Sequence, residues 1–181
     1  MTSAAESSPR RWIHWLITAV AFVALYAWMT RGNASLLIGK KAPDLTLAVA
    51  AGGSPDGPHE IRLSELGGQV VVLDFWASWC QACRRTTPIL NDLHQEFAEQ
   101  GAAFYGINVE PIDRPRLQAA HAAFGVEFPS LHDRSGVVQR RYGIEMLPTV
   151  IVVGRDGLVR WASSGVPSKA RLRAAISKAL D

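Results

Sequence analysis

The sequence VVVLDFWA, residues 70–77, runs almost without a polar break and leads within three residues into Cys80 and Cys83. A strand with one face in water alternates apolar and polar side chains, whereas an unbroken apolar run of strand length suits a strand covered on both faces. The segment therefore reads as the central strand of a sheet layered by helices, an α/β architecture. Its one polar residue is Asp74. An isolated carboxylate in that setting is costly to bury, and its pKa rises.

The remaining pattern supplies the other layers. Leu45 to Val49 and Ile61 to Leu63 flank the turn-rich GGSPDGP and read as a pair of short strands with a flexible tip. After the cysteines, Ile89, Leu90, Leu93 and Phe97 recur at helical spacing, so residues 80–100 form an amphipathic helix ending near Gly101. FYGINVE (104–110) is a second strand, 114–124 a helix with Leu117, Ala120 and Phe124 on one face, and 137–143 a further short helix. TVIVV (149–153) and LVRWA (158–162) flank Gly154-Arg155-Asp156-Gly157, a hairpin signal, and an amphipathic helix from Ser168 to Leu180 closes the chain. This order implies a mixed sheet with helices on both faces.

The N-terminal segment stands apart. Between Trp12 and Met29 only His14 and Thr18 are not apolar, and apolar residues surround the segment on all sides, unlike the single stripe of a buried core helix. As a helix it would be about 27 Å long, against the roughly 30 Å of a bilayer's hydrocarbon core. Trp12 and Trp15 stand at one end and Tyr26 and Trp28 at the other, with Arg10 and Arg11 before the run, so the positive-inside rule places the N-terminus in the cytoplasm. A cleaved signal peptide is the alternative, with small residues at Gly32-Asn33-Ala34, although the apolar run exceeds the usual length of a signal peptide's core. Either way the chain beyond about residue 35 enters an oxidising space. The formal charge of +3, from 19 Lys and Arg against 16 Asp and Glu, includes Arg10, Arg11 and Arg31 of this segment against Glu6. No basic stripe runs through the body, which excludes a nucleic-acid footprint.

With two cysteines in the chain, a disulfide-dense scaffold and a four-thiolate zinc site are excluded. Cys80 directly follows the central strand and lands at a helix N-terminus, where unpaired N–H groups and the helix dipole favour a thiolate. Cys83 is one turn on, within reach of the same sulfur but facing inward. The asymmetry suits a two-step exchange in which the Cys80 thiolate attacks a substrate disulfide and Cys83 resolves the mixed disulfide. Three other readings stand beside it: a structural disulfide, which would close a very short loop and stabilise weakly; a zinc or copper site completed by His94, His121 or His132; and unpaired structural cysteines.

WASWCQACRRTTPIL, preceded by VVVLDF and followed by Leu147-Pro148-Thr149, resembles the thioredoxin superfamily, and the chain's extra features resemble its TlpA/ResA-like (DsbE-like) membrane-anchored branch. The resemblance covers roughly residues 39–181. It implies a thioredoxin-like α/β fold: a central mixed sheet flanked by helices, an N-terminal hairpin matched by GKKAPDLTL with RLSEL, and a central insertion around 107–132 that includes EFPSLHD. It also implies roles. Asp74 matches the aspartate beneath the cysteines that handles the proton of the second one, the alternative being a carboxylate that finds a lysine or water. Pro148 matches the cis-proline that faces the disulfide and lets the backbone of the preceding residue, Leu147, pair with an extended substrate segment; Trp79 joins them as a substrate-binding residue. Pro88 matches the proline that kinks the active-site helix. Thr86 stands where many ResA-like proteins carry a glutamate, and Gln81-Ala82 replaces the family's usual dipeptides. Arg84 and Arg85 either hold down the thiolate or meet an acidic partner, or are solvated surface.

The expectation is thus a cytoplasmic tail over 1–11, a transmembrane signal-anchor over 12–29, a linker over 30–38 and a thioredoxin-like domain over 39–181, single-pass in a bacterial inner membrane with the domain in the periplasm. The expected enzyme is a disulfide reductase with catalytic Cys80, Cys83 and Asp74 and no cofactor beyond the Cys80–Cys83 redox disulfide; no metal ligands are assigned. Its partners would be periplasmic client proteins bearing disulfides, with clients of cytochrome c maturation or copper assembly implied by the resemblance, a membrane thiol reductase of the DsbD or CcdA type as electron donor, and the lipid bilayer. Two other classes compete: a Cu(I)-binding assembly protein without redox turnover, using both thiolates and a histidine such as His132, and a peroxiredoxin-like thiol peroxidase. The latter needs threonine three residues before the reactive cysteine, and position 77 is Ala.

Overall fold

A computed structural model describes residues 10–29 and 33–181, with the backbone alone at 10, 11, 24–29 and 33. Two compact units divide near residue 31. The first is helix α1, Arg10–Met29, whose described side chains, residues 12–23, are all exposed, Trp15 at 76% and Phe22 at 74% among them. Among the described residues no helix is long and apolar enough to cross a membrane. Those twelve side chains are fewer than the roughly 20 apolar residues a crossing needs. The expected tail over 1–11 and the start of the linker, 30–32, lie outside the described residues, apart from the backbone of Arg10 and Arg11.

In the second unit, β3 (Val70–Trp76) is buried at every position, the consequence of its unbroken apolar run. Among the described residues the sheet has seven strands in the order β2-β1-β5-β4-β3-β6-β7, with β1 Thr46–Ala51, β2 Glu60–Arg62, β4 Ala102–Asn108, β5 Ser130–His132, β6 Thr149–Val153 and β7 Val159–Ser164. β3 pairs parallel to β4 and antiparallel to β6, and β4 pairs parallel to β5. The sheet is mixed, as expected. On one face Val70 and Val72 pack with Leu90, Leu93 and Phe97 of α2 (Gln81–Phe97) and with Leu172 and Ile176 of α5 (Lys169–Leu180). On the other, Val71, Leu73 and Phe75 meet Val138 of α4 (Val137–Arg141), the adjacent Tyr142, and Leu45 and Leu63 of the N-terminal hairpin region. The alternation of Cβ directions along β3 thus divides its apolar side chains between two cores.

Several boundaries differ from the sequence reading. The active-site helix ends at Phe97 and passes through a 3-10 turn, Ala98–Gln100, to Gly101 in the left-handed region at φ 94°. The second strand starts two residues earlier than expected and stops at Asn108, releasing Val109 and Glu110 from the ladder. Ser130–His132, read only as part of an insertion, is a strand, paired through Leu131 to Ile107 of β4 and to Val49 of β1. Three residues are too few to display a period, so pairing alone makes this segment a strand. From Asn33 the expected linker is folded: a 3-10 turn, Asn33–Leu37, lies on β7, with Ala34 2% exposed in the core.

Candidate active site

Helix α2 begins where β3 ends, so the cysteines sit at the C-terminal edge of the central strand, the position at which α/β sheets present their sites. Cys80 is the N-cap of α2: its Sγ and its carbonyl oxygen both accept from the Cys83 N–H, each at 3.1 Å. Cys80 and Cys83 form a disulfide with S–S 2.05 Å and Cα–Cα 5.2 Å. Cys83 is 1% exposed and Cys80 5%, so the first cysteine is the more accessible of two well-packed residues. The pair packs with Trp76 and Ala77, with Leu147, and with Ala120 and Phe124 of α3, Arg114–Phe124.

Asp74 lies on β3 beside Gly106 of β4 and Val150 of β6, on the α2 face of the sheet. It is buried, its Oδ1 has no hydrogen-bond partner, and loss of hydration pushes its carboxyl up to about 7. Among the described residues no lysine is paired with it. Two residues on, the Trp76 indole Nε1 is also buried without a partner. Gly106 makes room for it, since a Cβ there would meet Trp76 Nε1 and Ser130 Oγ, each at 2.9 Å.

The other sequence-predicted residues divide in two. Trp79 is 67% exposed at the lip of the site. The Leu147–Pro148 peptide is cis, Leu147 is half-buried against the cysteines, and the Pro148 carbonyl accepts from the Gly165 N–H at 2.7 Å. Pro88 lies inside α2. Thr86 is fully buried, its hydroxyl donating to the Ala82 carbonyl at 3.3 Å. Arg84 is held over the Phe124 ring, 4.5 Å from its centroid, a cation–π contact that fixes the guanidinium against α3. The histidines considered as ligands go elsewhere. His94 sits edge-on to Phe104 and Phe128, His121 Nδ1 pairs with Ser130 Oγ at 3.0 Å, and His132 Nε2 with the Glu110 carbonyl at 2.9 Å. Among the described residues no group of three or more His, Cys, Asp or Glu is placed to hold a metal ion.

One residue of the site went unread in the sequence. Glu110, 8% exposed, accepts the Ser78 N–H at 2.5 Å on one carboxylate oxygen and the Ser78 hydroxyl at 2.9 Å on the other. Its signal was a charge at the end of an apolar strand, which is indistinguishable from the ordinary polar end of a strand until Ser78 is found opposite it.

The sequence matches the AhpC/TSA family profile over residues 38–162. The chain belongs to the AhpC/TSA family. The thiol-disulfide oxidoreductases ResA of Geobacillus kaustophilus and Geobacillus thermodenitrificans are each 31% identical to it over 156 residues, covering 85% of this chain and 84% of theirs. A crystal structure described as a thiol:disulfide interchange protein DsbE from Chlorobium tepidum matches with a TM-score of 0.70 at 31% identity, over 80% of this chain and 98% of that one. A secreted Mycobacterium tuberculosis disulfide oxidoreductase homologous to DsbE has a TM-score of 0.62 at 22% identity, over 74% of this chain and 95% of that one, and shares the fold. This AhpC/TSA member has the thioredoxin-like fold and is a thiol–disulfide oxidoreductase of the TlpA/ResA/DsbE-like kind. Its substrates are accordingly proteins that contain disulfides.

Proposed function

We propose that the protein is a membrane-anchored, periplasm-facing reductase of protein disulfides, with Cys80 as nucleophile, Cys83 as resolving thiol and Asp74 as its base. The observation that carries the reading is the Cys80–Cys83 pair at the N-terminus of α2, with a buried, unpartnered carboxylate on the strand that leads into it. In the reduced enzyme the Cys80 thiolate attacks one sulfur of a client disulfide, and the other client sulfur leaves as a thiolate that takes a proton. Cys83 passes its proton to Asp74 and attacks Cys80 Sγ. The client then leaves as a dithiol, two electrons richer, and the enzyme is left with the Cys80–Cys83 disulfide. No cofactor beyond that disulfide takes part. A membrane thiol reductase of the DsbD or CcdA type returns the two electrons, and clients of cytochrome c or copper-site assembly fit the resemblance.

Trp79, Leu147 and Pro148 supply the client-binding lip; the exposure of Trp79, next to Cys80 in the chain, and the packing of Leu147 against the cysteines support this. The anchor, residues 12–29, rests on its length, its all-round apolarity and its aromatic ends, and on the exposure of every described apolar side chain of α1. Tethering raises the effective concentration of the domain near membrane-bound partners.

Reduction of insulin disulfides by the dithiothreitol-charged protein tests the reading. Turnover is expected from the wild type and none from Cys80→Ser. Turnover retained by Cys80→Ser, or peroxide consumption in place of disulfide reduction, refutes it.

A further inference from the structure

The loop from Ala77 to Trp79 joins β3 to α2 and presents Cys80. It is a tight turn, closed by the Cys80 N–H on the Ala77 carbonyl at 3.1 Å. Ser78 at its centre has a backbone N–H and a hydroxyl that no sheet or helix partner takes up. Both donate to the buried carboxylate of Glu110, one to each oxygen. The carboxylate is fixed in turn from its own side. Asn108, fully buried at the end of β4, donates its Nδ2 to Glu110 Oε2 at 3.2 Å and accepts the Glu110 N–H on its Oδ1 at 3.1 Å. His132 of β5 closes on the Glu110 carbonyl. Val109, between them, donates its N–H to the Trp76 carbonyl at 3.2 Å. The connector that leaves β4 for α3 is thus stitched to the active-site loop, and α3 then delivers Ala120 and Phe124 onto the cysteines.

We infer that Glu110 is a positioning residue for thiol exchange, holding through Ser78 the loop that presents Trp79 and Cys80 and placing a fixed negative charge on the nucleophile's flank. The inference rests on the proposed role of Cys80. A buried carboxylate that accepts three hydrogen bonds is stronger than a neutral acceptor at ordering a loop. Its charge acts on the Cys80 thiolate in the opposite sense to the α2 dipole. Other charged or titratable groups on the elements around the loop are Arg84, held over Phe124, Asp74 on β3, His132 against the Glu110 carbonyl, and the buried Asp133, whose N–H donates to the Asn108 carbonyl at 2.9 Å.

Shape and charge separate in two variants of the full chain. Glu110→Gln keeps the outline: its carbonyl accepts from Ser78 N–H and Asn108, and its amide donates to the Ser78 hydroxyl. Glu110→Ala removes both. The readout is the pH dependence of Cys80 alkylation by iodoacetamide in the reduced protein, located by peptide mass, together with the rate of disulfide exchange. Glu110→Gln is expected to keep exchange within about threefold of the wild type while moving the alkylation midpoint several tenths of a pH unit lower. Glu110→Ala is expected to move the midpoint likewise and to slow exchange about tenfold or more, because a nucleophile displaced by a fraction of an ångström loses its approach. A midpoint unchanged in both variants, or a Glu110→Ala that melts earlier but exchanges normally while folded, overturns the inference and leaves a purely structural contact. Alkylation of the wild type at Cys83 ahead of Cys80 would refute the underlying assignment of the nucleophile instead.

Discussion

Asp74 carries a stability signature that is independent of the role proposed for it in exchange. Its carboxyl titrates from an ordinary 3.8 in the unfolded chain to about 7 in the fold, because burial removes its hydration without supplying a partner. Between those values the folded state holds a proton that the unfolded state has lost, so this group's contribution is fully present below pH 4 and is lost as the pH rises through 7. Asp74→Asn cannot lose that proton. Its stability relative to the wild type, from urea unfolding, should grow between pH 4 and pH 7 at up to roughly 1.4 kcal/mol per pH unit and level off above that. His94 and His121, both held below the ordinary histidine range by burial, titrate in both proteins and cancel in the difference. A difference that stays flat with pH would show that Asp74 is hydrated. Gly106 offers a second test at this scale. Because a Cβ there would lie 2.9 Å from Trp76 Nε1 and Ser130 Oγ, Gly106→Ala should cost about 1–3 kcal/mol by overpacking, measured in the same titration. Asp74 and the cysteines were legible in the sequence because each breaks its surroundings: a charge within an apolar run, two thiols at a helix start. Glu110 was not, since a carboxylate at a strand end breaks nothing; only the return of the chain past Ser78 gives it meaning.

The elements around the site form for local reasons, and those reasons explain which of them could be read. Helix α3 falls at the residues expected, 114–124, because Asp113 caps it, its Oδ1 accepting from the Arg116 N–H at 2.9 Å, and Gly125 ends it in the left-handed region at φ 65°. Asp113→Ala should cost about 1 kcal/mol, a fall of roughly 2–4 °C in Tm, without altering the cysteines' reactivity. No fall in Tm would mean that the cap is replaced by water. The hairpin of β6 and β7 was legible from its Asp-Gly turn, and β3 from its composition. Strand β5 was not, because its three residues owe their conformation to β4 and β1 on either side. The early end of β4 was hidden for a related reason: Val109 and Glu110 continue the strand's composition, but after the Val109 N–H has bonded to Trp76 at the end of β3, Glu110 turns its side chain to Ser78 of the active-site loop.

At the scale of the whole molecule, the two compact units correspond to two kinds of sequence. Residues 12–29 are apolar on every side, while residues 33–181 alternate by the periods of strands and helices and bury their apolar positions in two cores. The proposed anchor predicts that the full chain stays with the membrane pellet after alkaline carbonate extraction; release into the supernatant would contradict it. The catalytic claim belongs to this scale too, because β3, α2 and the Leu147–Pro148 segment each contribute one part of the site. The most direct measurement is the intact mass of reduced Cys83→Ser after mixing with a peptide that contains a disulfide. A stable adduct of one peptide, mapped to Cys80 and dissolved by dithiothreitol, is the expected result, with the wild type passing on to the internal disulfide and free peptide thiols. No adduct at Cys80, or release of reduced peptide by Cys83→Ser at the wild-type rate, would contradict the mechanism.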